Sequence, residues 1–146
     1  MRVCRNTTVN MKTSTMKRKV FCIKDKMFKT EPLFIINCTE EAAEKYLQRR
    51  FKVGFGRDKH NHASRATATV LHFNKVPWRV LWIESFNRHK SEDIAELVHE
   101  LTHLVIRICE DKGLVMIANH PETGQVLDEP PAYMMDFFVH EFLKRV

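Results

Sequence analysis

The longest regular alternation of apolar and polar positions in the chain begins near Ser91 and ends near Gly113. Apolar residues recur there at helical spacing, at Ile94, Leu97, Val98, Leu101, Leu104, Val105 and Ile108. At about 100° per residue these side chains fall within roughly 60° of Leu101, which predicts an amphipathic helix with one buried face. Ser91 is the expected N-cap, Glu92 and Asp93 place acids in the first turn, and Gly113 is the expected C-cap.

Shorter patterns predict the remaining elements, in the order strand, strand, helix, hairpin and closing helix. Strands are expected at Lys19–Lys24 and Leu33–Asn37, and a hairpin from Arg65–Phe73 and Trp78–Phe86 through a turn at 74–77. Helices are expected from Glu40 to about Arg50 with Thr39 as N-cap, and from Glu129 to Lys144 with Asp128 as N-cap. This order predicts an α+β fold with a small mixed sheet.

Composition restricts the chain to ordinary globular proteins. It has 146 residues, 44% of them hydrophobic and 29% charged, which fits one domain with a single core. No apolar run approaches the roughly 20 residues of a membrane-spanning helix, and no signal-peptide core follows Met1. The four cysteines are scattered without a paired spacing, which favours reduced thiols and a cytoplasmic location.

The net charge of +6 is concentrated at the amino terminus. No acid precedes position 20, but six basic residues do: Arg2, Arg5, Lys12, Lys17, Arg18 and Lys19. Residues 20–146 are formally neutral. We therefore expect residues 1–18 to form a flexible basic tail and residues 19–146 a single domain. Nucleic acid could bind through that tail, or the tail could be a targeting segment. A solvated tail is favoured, because no basic stripe with interleaved aromatics continues into the domain.

The candidate chemistry lies in the helix that begins near Ser91, where residues 99–103 read His-Glu-Leu-Thr-His. This HExxH spacing puts His99 and His103 on one helical face, about 160° from Leu101, where both can bind one divalent ion. Glu100 lies beside the first ligand, where its carboxylate can act as a general base. A chain of this composition contains an HExxH match by chance on the order of a few per cent of the time. The helical setting is therefore the stronger indication of a metal site.

A zinc site of this kind needs a third protein ligand. Cys109 is excluded because on a continuous helix it points about 120° away from His103. Glu129 opens the last helix, where Pro130 and Pro131 stiffen the first turn and would fix its direction. His120, in a turn-like segment beside a proline, is the rival, and spacing along the chain does not decide between them.

The residues at 97–103 and at 128–133 (Asp-Glu-Pro-Pro-Ala-Tyr) resemble the gluzincins, zincin-type metallopeptidases whose third zinc ligand is a glutamate. More narrowly, they are similar to small metallopeptidase-like proteins encoded by bacteriophages. The layout agrees over roughly residues 19–145, but only the HExxH and Glu-x-x-Ala-Tyr motifs are specific. The larger gluzincins have an Asp where this chain has Tyr133.

The resemblance implies a minimal zincin-like domain, an HExxH helix beside a packing helix, in the cytoplasm of a bacterium or phage-infected host. Zn²⁺ held by His99, His103 and Glu129 would activate water for peptide hydrolysis, with Glu100 as base and Tyr133 or His120 as an oxyanion donor. Peptides or proteins are the expected substrates, and no membrane partner is expected. Two alternatives stay open: an SprT-like DNA-associated metalloprotease, and an inactive zinc-stabilised binding module. The strand Trp78–Phe86 is expected to pair with extended substrate.

Overall fold

The computed structural model describes residues 16–55, 65–114 and 129–146. Seven elements follow one another along these segments: β1 (Lys19–Cys22), β2 (Leu33–Ile36), α1 (Glu40–Phe51), β3 (Ala66–Phe73), β4 (Val76–Ile83), α2 (Ser91–Asp111) and α3 (Glu129–Leu143). Every element expected from the sequence is present within a few residues of its expected ends. The fold is mixed α and β, with a four-stranded sheet and three helices in the described part of the chain.

The sheet has the order β1-β2-β4-β3 and is mixed, with parallel and antiparallel pairs. β1 pairs with β2 and β3 pairs with β4 in antiparallel fashion, whereas β2 and β4 run parallel, with Leu33 opposite Val80 and Ile36 opposite Ile83. The parallel pair requires the chain to cross over between β2 and β4, and the segment containing α1 and β3 makes that connection. β3 is therefore an edge strand although it precedes β4 in the chain.

Apolar side chains pack on both faces of this sheet. One cluster joins α1 to one face through Leu47, Phe51, Val80 and Trp82. The other joins α2 and α3 to the opposite face, and its members include Leu81, Leu101, Ile108 and Phe138. Trp78 and Trp82 thus face α1, as their shared strand face predicts. The result is a three-layer arrangement in which α2 lies between the sheet and solvent.

The ends of the helices agree with the sequence except at the start of α2. Thr39 caps α1, because its hydroxyl accepts a hydrogen bond from the Ala42 amide at 3.3 Å. The expectation that Ser91 caps α2 is wrong: Ser91 is the first helical residue, and Lys90 occupies the cap without a side-chain bond. The buried Asp93 carboxylate instead accepts from the Asn87 amide at 2.7 Å, which connects the entering chain to the helix.

Gly113 ends α2 as expected, with a φ of 65° in the left-handed region. The amides of Gly113 and Leu114 donate back to the carbonyls of Glu110 and Cys109. This double closure is a Schellman motif, and a residue without Cβ adopts it at least cost.

Two further expectations need correction. Val98, placed in the apolar stripe of α2, is 38% exposed, because it lies at the margin of the face that packs on the sheet. The hairpin turn is only Asn74–Lys75, both with positive φ, so Val76 and Pro77 already belong to β4. Two left-handed turn residues match the twist of the paired strands, and a longer turn is not needed.

Residues 1–15 of the expected basic tail lie outside the described residues, as do residues 56–64 and 115–128. Cys22, Cys38 and Cys109 are free thiols. Among the described helices, none is both long enough and apolar enough to cross a membrane.

Candidate metal centre

Helix α2 brings His99 and His103 together on its solvent-exposed face, as the sequence predicts. Their Nε2 atoms are 3.2 Å apart and their rings are nearly perpendicular, at 82°. Both rings are exposed, while Leu97, Leu101 and Leu104 on the other side of the helix are buried. The apolar contacts of one face therefore determine which way the imidazoles point.

The separation of the two nitrogens suits one zinc ion. Zinc–imidazole bonds are about 2.0–2.1 Å long, and two nitrogens 3.2 Å apart can both reach that distance from one point at an angle of about 100°. That angle is close to tetrahedral. The same separation lets one ring donate a hydrogen bond to the other, so metal content distinguishes the two arrangements.

The helix that carries the pair is anchored at both ends. At its start Asp93 accepts the hydrogen bond from Asn87, and at its end Arg79 of β4 donates to the Asp111 carboxylate. The Arg79 side chain is mostly buried, so it also neutralises an acid at the helix end where the dipole is unfavourable to negative charge. An imidazole pair on such a helix is held with little freedom.

Glu100 points toward the sheet. Its Oε2 accepts a hydrogen bond from the backbone amide of Ala68 in β3 at 2.6 Å, and the side chain is half-buried. Nothing in the sequence points to Ala68, because the donor is a backbone N–H and its partner is 32 residues away. No described residue donates to the other carboxylate oxygen, Oε1.

The strand beside the site is β3, and the expectation that the Trp78–Phe86 strand pairs with substrate is wrong. Over Val80–Ile83 the corresponding strand, β4, is hydrogen-bonded to β2 on one side and to β3 on the other. A strand paired on both sides has no free backbone groups for an extended peptide. β3 is an edge strand, and its Ala68 amide faces Glu100 rather than β4.

The two candidates for a third ligand are Glu129 and His120. Glu129 is the first residue of α3, which packs against α2, but its side chain lies outside the described residues, and so does the whole of His120. Within the described segments, no group of three or more His, Cys, Asp or Glu side chains is arranged to hold a metal. Those segments therefore supply two candidate ligands, His99 and His103.

Cys109 is a packed thiol, as expected from its position on α2. It is fully buried in the cluster beneath α2 and α3, and burial raises the pKa of its thiol. Because the thiolate is the metal-binding form, a raised pKa argues against Cys109 as a ligand.

Tyr133 lies one turn after Glu129 and is 40% exposed. Its ring contacts Phe28 in the turn between β1 and β2, with centroids 6.0 Å apart, and stacks on Phe137 at 6.1 Å. These contacts hold the ring on the outer side of α3. No contact joins its ring to the His99–His103 pair in the described structure, so its role as an oxyanion donor stays a prediction.

Comparisons of this chain with protein-family models, with curated proteins and with solved structures give no match.

Proposed function

We propose that the protein is a zinc-dependent peptidase whose metal centre is built on α2. The observation that carries this is the 3.2 Å separation of the His99 and His103 Nε2 atoms on an exposed face, with the Glu100 carboxylate turned toward an edge strand. His99, His103 and Glu129 would hold the ion. Zinc bound there would supply a Lewis acid that activates water and polarises the scissile carbonyl.

Glu100 acts as the general base in this proposal. The Ala68 amide holds one carboxylate oxygen, Oε2, and so aims the other at the reacting water. Oε1 takes the proton from that water and later passes it to the leaving nitrogen, so the carboxylate is regenerated at the end of the cycle. The exposed face of α2 beside β3 leaves room for an extended peptide along the edge of the sheet.

The zincin-like fold is part of the same proposal. A mixed sheet with an edge strand beside the HExxH helix, and a closing helix packed against that helix, is the arrangement such an enzyme needs. The elements supply the helix that carries two ligands, the strand that contacts the base, and the helix that begins with Glu129.

The test compares wild type with Glu100→Gln in zinc content and in cleavage of a quenched-fluorescence peptide library. Gln keeps an oxygen that can accept from the Ala68 amide, so fold and zinc binding should be unchanged while hydrolysis falls at least about 100-fold. Glu96→Gln is the matched control: it makes the same chemical change one turn earlier on α2 and should leave activity unaltered.

Each of three other outcomes would contradict a different part of this proposal. Equal activity in wild type and Glu100→Gln excludes Glu100 as the base. Wild type that holds zinc but cleaves no peptide is a zinc-stabilised binding module. Wild type without zinc, after growth with zinc supplied, contradicts the metal centre itself.

A further inference from the structure

A second candidate site lies near the start of α2, where three segments of the chain meet. A groove of about 350 Å³ is lined there by Lys17, Lys19, Arg88 and His89, together with Asn37 and Asn87. We call it the basic groove. Met16, Phe86 and Val146 complete the lining, and no Asp or Glu side chain belongs to it, although acidic residues are as frequent as basic ones over residues 20–146. The positive charge is therefore local.

Main-chain oxygens hold two of the basic side chains of the groove. The Lys19 ammonium donates to the Arg145 carbonyl at 3.0 Å, and the Arg88 guanidinium donates to the backbone oxygen of Val146 at 3.4 Å. Lys17 and Lys19 form no ion pair with an acidic side chain of the described segments. The charge of these two lysines remains available to a bound anion.

The two asparagines add neutral donors. Asn37 Oδ1 accepts from the Phe86 amide at 2.9 Å, and Asn87 Oδ1 accepts from the His89 amide at 3.0 Å. Because each oxygen is taken by a backbone N–H, the side-chain NH₂ group is the end left to donate. Ammonium, guanidinium and amide donors around one concavity match the oxygens of a phosphate group.

We propose that the basic groove binds the phosphate backbone of a nucleic acid. Exposed basic residues adjoin the groove residues in the chain, as Arg18 and Lys90, so the positive surface extends beyond one phosphate. Arg18 also lies over the Tyr46 ring, 5.8 Å from its centroid, which extends the surface toward α1. A run of cations suits a chain of phosphates, whereas a single small anion needs only the groove itself.

The basic groove is separate from the candidate metal centre, but it lies near the start of the same helix. Lys90 precedes the first residue of α2, and His99 follows nine residues later, about 14 Å along the helix. A bound strand would thus keep the protein on nucleic acid while leaving the exposed face of α2 open.

The experiment measures binding of a fluorescein-labelled oligonucleotide of about 20 nucleotides, single-stranded and duplex, by anisotropy at about 50 mM salt and above. The variant Lys17→Gln/Lys19→Gln is compared with Lys24→Gln/Lys26→Gln, which removes the same charge from exposed positions beyond the other end of β1. We expect the groove variant to bind about tenfold more weakly and the control within about twofold of wild type. The slope of log affinity against log salt should fall by about 1.4–1.8 in the groove variant.

Several results would overturn the proposal: no binding by wild type at low salt, equal loss in both double variants, or binding only to anionic lipid vesicles. Inorganic phosphate that displaces the oligonucleotide at an equal concentration of phosphate groups would assign the groove to a small anion. Thermal unfolding of each variant checks that it is folded. The same measurement with a chelator present, and with Glu100→Gln, should give wild-type affinity, so the groove proposal and the peptidase proposal fail separately.

Discussion

At the scale of single residues, the side chains of the candidate metal centre point in two directions within about one turn of α2. His99 and His103 share the exposed side of α2, and Glu100, one residue on, is rotated by about 100° toward the Ala68 amide. The proposed ligands and the proposed base therefore do not compete for the same space. The exposed Val98 lies between the imidazoles and the buried stripe, where an apolar side chain can line the approach to the site.

The identity of the third ligand is a prediction at this scale. Glu129→Ala should weaken zinc affinity at least about tenfold, because one of three protein ligands is lost, while His120→Ala should leave it nearly unchanged. Competition with a fluorescent zinc chelator measures both affinities. The reverse pattern would give the third ligand to His120 and favour the SprT-like alternative.

At the scale of elements, the contact between α2 and β3 matters most for chemistry. β3 is an edge strand, so alternate amides along it point away from β4, and the Ala68 amide is one of these. The helix and the strand are thus joined by the side chain proposed as the base. A peptide added to the edge of β3 would lie beside Glu100, which connects sheet order directly to the proposed reaction.

Ala68→Pro tests this contact, because proline removes the N–H that holds the Glu100 carboxylate but spares the ladder to β4. We expect zinc content to be retained and kcat to fall at least about tenfold with a smaller change in KM. Val70→Pro is the matched control: by alternation it removes the next outward amide of the same edge and should raise KM more than it lowers kcat.

Steady-state kinetics with the best substrate from the peptide library separates the two effects, and thermal melting verifies that both variants are folded. Identical losses of kcat in Ala68→Pro and Val70→Pro would mean that proline damages the edge strand generally, and would remove the positioning role from the Ala68 amide.

At the scale of the whole molecule, the proposed ion connects parts of the chain that are far apart in sequence. His103 and Glu129 are separated by 26 positions, and the helices that carry them pack through a shared apolar cluster that includes Leu101, Met134 and Phe138. An ion bound to both helices would close that stretch of chain, so metal binding would add to the stability of the folded state.

Metal removal should therefore lower the melting temperature. At a free zinc concentration about 100-fold above Kd, binding contributes about 2.7 kcal/mol, which corresponds to a shift of roughly 5–10 °C for a domain of this size. Differential scanning calorimetry with and without a chelator, beside elemental analysis for one zinc per chain, measures it. The double variant His99→Ala/His103→Ala should be insensitive to the chelator. Identical unfolding of wild type in both conditions, with no zinc found, would contradict the proposed centre.

The sequence by itself determined the features that depend on neighbours in the chain. The elements, the Thr39 and Gly113 caps, the burial of Cys109 and the pairing of His99 with His103 follow from periodicity and from local hydrogen bonds. Each of these is settled within a few residues, where side-chain spacing and backbone geometry leave few alternatives.

Only the tertiary structure decided which strands lie at the edges of the sheet, which amide meets Glu100, and which basic residues share a groove. β2 pairs with β4 across nearly 50 positions, and that pairing buries the strand expected to be free and leaves β3 exposed. The basic groove likewise collects side chains from near positions 17, 88 and 145. Such contacts depend on how distant segments cover one another's apolar faces, and no local pattern of residues specifies that choice.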